Sequence, residues 1–255
     1  MNAVLRAALA DAGQTAESLA ERVGVDPKTV ARWVTPGRIP HARHRFAAAE
    51  ALGRDVEDLW PDVLRHRTPV WFREWVEWER EAVALRWYEL AWIPGLLQTE
   101  AYARATLANE SLGEVEIDQL VESRLSRQVI LRRDRPPLFV AVIDELALRR
   151  PLANNRAVMA EQFAYLAECA ELPTVQIQVV PADVGMYPGL GGPFIVAELP
   201  DNRRVAHVDG QTRAQTLDQP KEIATLDRQW ERIRGDALSR QHSLTLIKEA
   251  ASSWT

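Results

Sequence analysis

Lys28, Thr29 and Arg32 are the residues of this chain best suited to reading another surface by hydrogen bonding. They share one side of a short helical pattern whose opposite side carries Val30 and Trp33. An arginine can clamp a guanine edge with two N–H groups, and lysine and threonine reach base edges at similar range. The surrounding stretch, AESLAERVGVDPKTVARWVT (residues 16–35), has the offsets of a helix-turn-helix. Leu19 and Val23 repeat at i,i+4, Ala20 stays small where two helices must cross, Gly24 supplies a left-handed turn and Val25 plugs the corner. Asp26 is a good N-cap and Pro27 a tolerated first helical residue. From Lys28 to Ala49 the basic residues Lys28, Arg32, Arg38, Arg43 and Arg45 are joined by His41 and His44, with no Asp or Glu. Such a local excess is the electrostatic footprint of a phosphate backbone. Lys28, Thr29 and Arg32 are therefore expected to face the base edges of double-stranded DNA, and Thr15, Arg38, Arg43 and Arg45 its backbone.

A second set of polar residues lies further along. Arg124, Arg127 and Gln128 share one helix face, and Asp144 and Glu145 open a helix after an apolar strand. Together with Gln98 and Tyr102 they form a candidate pocket for a ligand or partner; the plainer alternative is that Asp144 caps its helix and pairs with an arginine. His207 and Asp209, two residues apart, fall on one strand face. Signals for catalysis are absent: there is no HExxH, P-loop or GxSxG, and GLGGPF leads into a strand where a dinucleotide fingerprint needs a helix. No enzyme activity, cofactor or metal is expected, since Arg43 and Arg45 flank His41 and His44 and would repel a cation. The lone Cys169, inside AYLAECAEL, excludes an intrachain disulfide and suits a buried, inert thiol.

The elements that must position these residues fall into two parts. Residues 1–62 predict five short helices, the third carrying Lys28 to Trp33, and PDVLRHRTP supports a linker over 63–70. Residues 71–255 predict a mixed α+β domain. It opens with an aromatic stripe, Trp71, Trp75 and Trp78 at helical spacing with Phe72, Trp87, Tyr88 and Trp92 nearby. Glu74, Glu77, Glu79 and Glu81 surround these rings, which favours a core, an interdomain face or a dimer contact over base stacking. Strands are expected at Leu138–Ile143, Val175–Val180, Phe194–Leu199 and Arg204–Val208. Helices are expected at Leu96–Leu107, Glu114–Arg133, Asn155–Cys169, Lys221–Arg234 and Ser239–Ala251. With 31 Lys plus Arg against 36 Asp plus Glu, the net charge of −5 confines any nucleic-acid surface to a patch. No stretch approaches a membrane span or a signal peptide, so a cytoplasmic protein is expected.

The run LAERVGVDPKTVARWVTPGRIP with the following LGRDVEDLW resembles the XRE group of lambda repressor-like DNA-binding domains. WIPGLLQTEAYARATL, ESRLSRQVIL, VIDELALRR and GLGGPFIVAEL are similar to blocks of actinobacterial XRE-type regulators whose C-terminal domain has no assigned activity. The resemblance covers nearly the whole chain. It implies a five-helix DNA-binding domain and an antitoxin-like transcriptional regulator commonly encoded beside a small protein that it binds. Because one helix-turn-helix contacts few bases, a homodimer on two half-sites is expected, with the rest of the chain sensing a partner protein or a small-molecule effector; the alternatives are an interaction protein that mainly binds its co-encoded partner, or an enzyme with a DNA-targeting module. Ala16 departs from the Glu or Gln that such regulators often carry after the capping Thr, and His207 and Asp209 stand near positions where they tend to carry Tyr and Glu.

Overall fold

Gly24 and Asp26 set the geometry of the N-terminal helices. Gly24 takes φ 74° and its N–H closes onto the Ala20 and Glu21 carbonyls, which ends α2 (Ala16–Val23). A side chain would be strained at that dihedral. Asp26 then accepts a hydrogen bond from Lys28 N–H at 2.8 Å and starts α3 (Pro27–Trp33) two residues later. The computed structural model describes residues 3–35, 40, 42–54, 56–60, 70–108, 112–152, 155–210 and 214–254. The chain divides into two units, Met1–Pro69 and Val70–Thr255. Within the described residues the first unit also holds α1 (Ala3–Asp11), α4 (Ala42–Leu52) and α5 (Val56–Leu59). Leu5, Leu19, Ala20, Val30, Trp33, Ala48 and Leu59 form its own buried core. Arg22 Nη1 and Gln14 Nε2 both donate to the Ala51 carbonyl, at 2.8 and 3.1 Å, and tie the start of the chain to the end of α4. Of the expected linker 63–70, Val70 is already helical, and residues 63–69, like Arg38 and His41, lie outside the described residues.

The second unit is a mixed six-stranded sheet with helices on both faces. Its strands are β1 (Ala84–Glu89), β2 (Leu138–Asp144), β3 (Val175–Val180), β4 (Phe194–Glu198), β5 (Arg204–Val208) and β6 (Gln215–Leu217), in the order β3-β2-β1-β4-β5-β6. β1, β2 and β3 run parallel; β4, β5 and β6 add on antiparallel. The helices are α6 (Val70–Glu81), α7 (Glu100–Leu107), α8 (Glu114–Ser126), α9 (Glu145–Arg149), α10 (Arg156–Cys169), α11 (Pro220–Asp236) and α12 (Arg240–Trp254). Leu85, Trp87, Phe139, Ala141, Ile177, Ile195 and Val205 point to the face packed by Trp75 of α6, Phe163 and Leu166 of α10 and Ile247 of α12. Tyr88, Val140, Val142, Phe194, Val196 and Ala206 point to the other, where Ile223, Trp230 and Ile233 of α11 cover them. This is the period-two division a sheet buried on both sides requires.

Two expectations are corrected here. The central strand β1 falls inside the aromatic stripe, because Trp87 and Tyr88 belong to a strand and face opposite sides of the sheet. Of the aromatic residues, Trp75, Trp87 and Tyr88 are buried in the core of the unit, the first of the roles expected for them, and Trp92 is exposed. The side chains of Trp71 and Phe72 lie outside the described residues. The helical stretch Leu96–Leu107 breaks after a 3-10 turn at Gly95–Leu97, since Thr99 caps α7 by accepting from Tyr102 N–H at 3.2 Å. Cys169 is buried, and burial pushes its thiol above the usual range.

At the carboxyl end of β1, Tyr88 Oη and Tyr187 Oη share a hydrogen bond of 2.6 Å, and Tyr187 donates onward to Asp144 Oδ2. Burial pushes the Tyr88 hydroxyl up to about 12, and raises that of Tyr187 as well. Gly189 sits against this pair so closely that a Cβ there would lie 2.3 Å from Tyr88 Oη and 2.3 Å from Tyr187 Cε2. Gly189→Ala is therefore expected to destabilise the second unit by about 1–3 kcal/mol through overpacking. Denaturant melts of the full chain followed by tryptophan fluorescence measure it; an unchanged midpoint would show that the 188–191 turn yields freely.

Candidate functional site

On α3 the side chains divide cleanly. Val30 and Trp33 are buried, Lys28, Ala31 and Arg32 are exposed, and Thr29 is half-buried. Val25 is half-buried against the same core, at the corner between the two helices. Thr15 caps α2: its hydroxyl accepts from Ser18 N–H at 3.2 Å while Ser18 Oγ accepts from Thr15 N–H at 3.0 Å. Arg45 is a correction. Only 2 % of it is exposed and its guanidinium donates to the Pro40 carbonyl, so it supports the start of α4 and cannot meet a phosphate. Trp33 and His44 stack at 5.9 Å. Arg38 and the Arg43 side chain lie outside the described residues.

In the second unit the seven expected pocket residues separate into two groups. Asp144 Oδ1 caps α9 by accepting from Leu146 N–H at 2.7 Å, and Glu145 accepts from Ala182 N–H at 2.8 Å while pairing with Arg149. These two carboxylates thus serve local structure and the tyrosine pair. The others gather about the 93–99 turn. Gln98 Nε2 donates to the Ile93 carbonyl at 2.6 Å, Arg124 Nη1 to Gln98 Oε1 at 2.8 Å, and Gln128 Nε2 to the carbonyl of Gln98 at 2.6 Å. Tyr102 is fully buried and its hydroxyl accepts from Ile93 N–H at 3.3 Å, so it holds the turn from below and lines no opening. Gly95 lets the turn approach: a Cβ there would come within 3.2 Å of Arg127 Nη2 and 3.7 Å of Trp87.

Arg127 is 9 % exposed and places Nη1 at 3.0 Å from both carboxylate oxygens of Glu79 on α6, itself 1 % exposed. Trp75 Nε1 donates to the same carboxylate at 3.3 Å, and the Trp75 ring lies 5.1 Å from that of His207. His207 Nε2 is in turn 3.1 Å from Asp209 Oδ1, and that bond holds Asp209 below the usual carboxylate range. Burial drives Glu79 the other way, above its ordinary value, and Arg127 restrains the rise.

Glu89, the last residue of β1, completes the cluster. Trp87 Nε1 donates to Glu89 Oε1 at 3.1 Å, while Oε2 is buried with no hydrogen-bond partner. Burial pushes this carboxyl up to about 8; the nearby Asp209 adds to the rise and Arg124 opposes it. Neither Glu79 nor Glu89 belongs to the expected pocket. A signal for both is visible in the sequence, since each stands near a tryptophan that can donate to it, four residues before Glu79 and two before Glu89.

Two outcomes follow. Arg127→Met leaves Glu79 buried without its ion-pair partner and is expected to cost about 3–5 kcal/mol, of which Glu79→Gln in the same chain restores most. Denaturation of both variants measures this, and equal loss in the single and double variants would remove the pair from its structural role. Glu89 binds its proton more tightly folded than unfolded, so its contribution to stability is complete below the unfolded value near 4.5 and is lost as pH rises through about 8. Melts from pH 5 to 8.5 should therefore show Glu89→Gln gaining on the wild type as pH increases; parallel curves would refute the raised value.

Among the described residues no helix is long and apolar enough to cross a membrane. No curated protein and no solved structure matches the chain. Residues 72–249, which contain every strand of the sheet, Glu79, Glu89, Arg127 and His207, match the family described as Domain of unknown function (DUF5753). That match spans most of the chain, which therefore belongs to the DUF5753 family.

Proposed function

We propose that this chain is a sequence-specific, DNA-binding transcriptional regulator whose second unit senses a small molecule or a partner protein. The observation that carries this reading is the α3 face. Lys28, Ala31 and Arg32 stand exposed on a helix whose opposite side is locked into the core by Val30 and Trp33, one αL turn after α2. Such a helix can enter a major groove without disturbing the packing behind it. Thr29, half-buried beside them, carries a hydroxyl at the groove margin. A single helix of this kind contacts few base pairs, so the proposal includes two copies bound to half-sites about one helical turn apart. Arg38 and Arg43 are assigned to phosphates, and Arg45 is not.

The test is selection of binding sites from random duplex DNA with the full chain, followed by titration of variants on the enriched site. Arg32→Ala is expected to cost about 1–3 kcal/mol and to relax preference at one base pair. Arg38→Ala and Arg43→Ala should weaken all sequences alike and flatten the slope of log affinity against log salt by about one unit each. Failure to enrich any sequence, or an Arg32→Ala protein with unchanged affinity and base preference, would overturn the assignment.

A further inference from the structure

β3 is an edge strand of the sheet, and part of that edge is left without a neighbour. Phe139 lies opposite Val175 and donates to the Thr174 carbonyl at 2.8 Å, so the even residues of β3 turn their N–H and C=O groups to β2 and the odd ones turn theirs outward. Val179 is provided for: its N–H donates to Ser243 Oγ at 2.9 Å and its carbonyl accepts from Leu238 N–H at 2.8 Å. Val175 N–H reaches the Leu172 carbonyl at 3.1 Å. Between them Ile177, 2 % exposed, has no hydrogen-bond partner among the described residues for either outward group. A buried N–H and C=O in that condition cost free energy that an acceptor and a donor from outside recover.

The same edge opens onto a cleft of about 360 Å³, at the small end of the range for ligand sites. Ile177 lines it together with Leu244 and Ile247 of α12, which make its floor apolar. Arg240, the first residue of α12, and Glu171, just beyond α10, stand exposed at its rim. Arg240 Nη2 donates to the Ala170 carbonyl at 2.5 Å, which holds the guanidinium beside the cleft. Among the described residues no carboxylate pairs with it. The cleft thus presents a cation, an anion and an unused N–H and C=O over an apolar floor.

We propose that this cleft binds a free α-amino acid with an aliphatic side chain. The ammonium and carboxylate of such a molecule are charged at neutral pH and flank one carbon, as the N–H and C=O of an extended residue do. They complement Ile177 as an opposing residue in a strand would: the carboxylate accepts from Ile177 N–H and from Arg240, and the ammonium donates to the Ile177 carbonyl. Glu171 supplies the negative charge of the rim, and the side chain lies on Leu244 and Ile247. A peptide does not fit this pairing. Its chain, prolonged from the nitrogen, would run along Val179, whose outward groups Leu238 and Ser243 already hold. The proposal names the ligand class for the sensing role given above and, as to that role, rests on that reading.

Calorimetric titration of the full chain at pH 7, without DNA, with L-leucine and L-valine tests it, using N-acetyl-L-leucine, L-leucinamide and L-aspartate as controls. At least one aliphatic amino acid is expected to bind with Kd below about 1 mM, and each control at least about tenfold more weakly. Arg240→Gln, which keeps a donor for the Ala170 carbonyl, should weaken binding at least about tenfold. Leu244→Trp should abolish it by filling the cleft, and its thermal midpoint reports whether the fold survives; if it does not, Arg240→Gln, at an exposed residue, decides. No binding of either amino acid tighter than about 1 mM, equal binding of any control, or binding unchanged in a folded variant overturns the proposal. Operator binding is scored in a separate titration, so either result stands when the other fails.

Discussion

Burying the Glu79 carboxylate obliges the second unit to bring a guanidinium to it. Glu79 belongs to α6, the first helix of that unit, and Arg127 to the 3-10 segment that continues α8, forty-eight residues later in the chain. An unpartnered charge at that depth would cost more than any single apolar contact in the unit supplies. The pair therefore fixes the approach of both segments to the sheet. Much else follows from that approach: Trp75 comes to rest on His207, Gly95 lies so close to Arg127 that a Cβ there would be 3.2 Å from Nη2, and Arg124, one turn before Arg127, is presented to Gln98.

The described helices of the N-terminal unit are set by shorter-range devices. Its order comes from local chemistry, a capping box at Thr15 and Ser18, a left-handed glycine at 24 and an aspartate cap at 26, with a small apolar core behind them. Each device settles a helix end within a few residues, and the result is a short helix whose outer face is free of structural duty. The two units thus divide their residues differently: polar side chains are surplus on α3 and largely committed around the carboxyl end of β1. Glu89 Oε2 is an exception to that commitment.

Much of this was legible from residue types. Gly24, Asp26 and Pro27 act where their backbone preferences say they must, and the strands at 138, 175, 194 and 204 follow from Val- and Ile-rich runs between turn residues. β1 was hidden because ALRWYE continues a tryptophan spacing begun on a helix; only partners distant in sequence decide its period. Asp144 and Glu145 resemble ligand-binding carboxylates in sequence, yet cap formation and an i,i+4 arginine absorb them locally. Arg45 likewise counts as a basic residue in the sequence and as a buried support in the structure. Burial is the property that single-residue chemistry reports least well, and the candidate site turns on it.

The central position of β1 also bears on how the chain is made. Its parallel neighbour is β2 and its antiparallel neighbour is β4, which ends at Glu198, so one edge of the strand waits for that segment to be synthesised. At about 5–20 residues per second the delay after β1 is on the order of 5 to 20 s. Throughout it, Leu85, Trp87 and Tyr88 have no completed sheet to enter, and a nascent edge strand of that composition is prone to pair with the wrong partner. The N-terminal helices, whose packing closes within some sixty residues, are complete before the delay begins. During translation the molecule therefore passes through a stage with a finished first unit and an unfinished second, and its vulnerability to aggregation and to proteases is concentrated there.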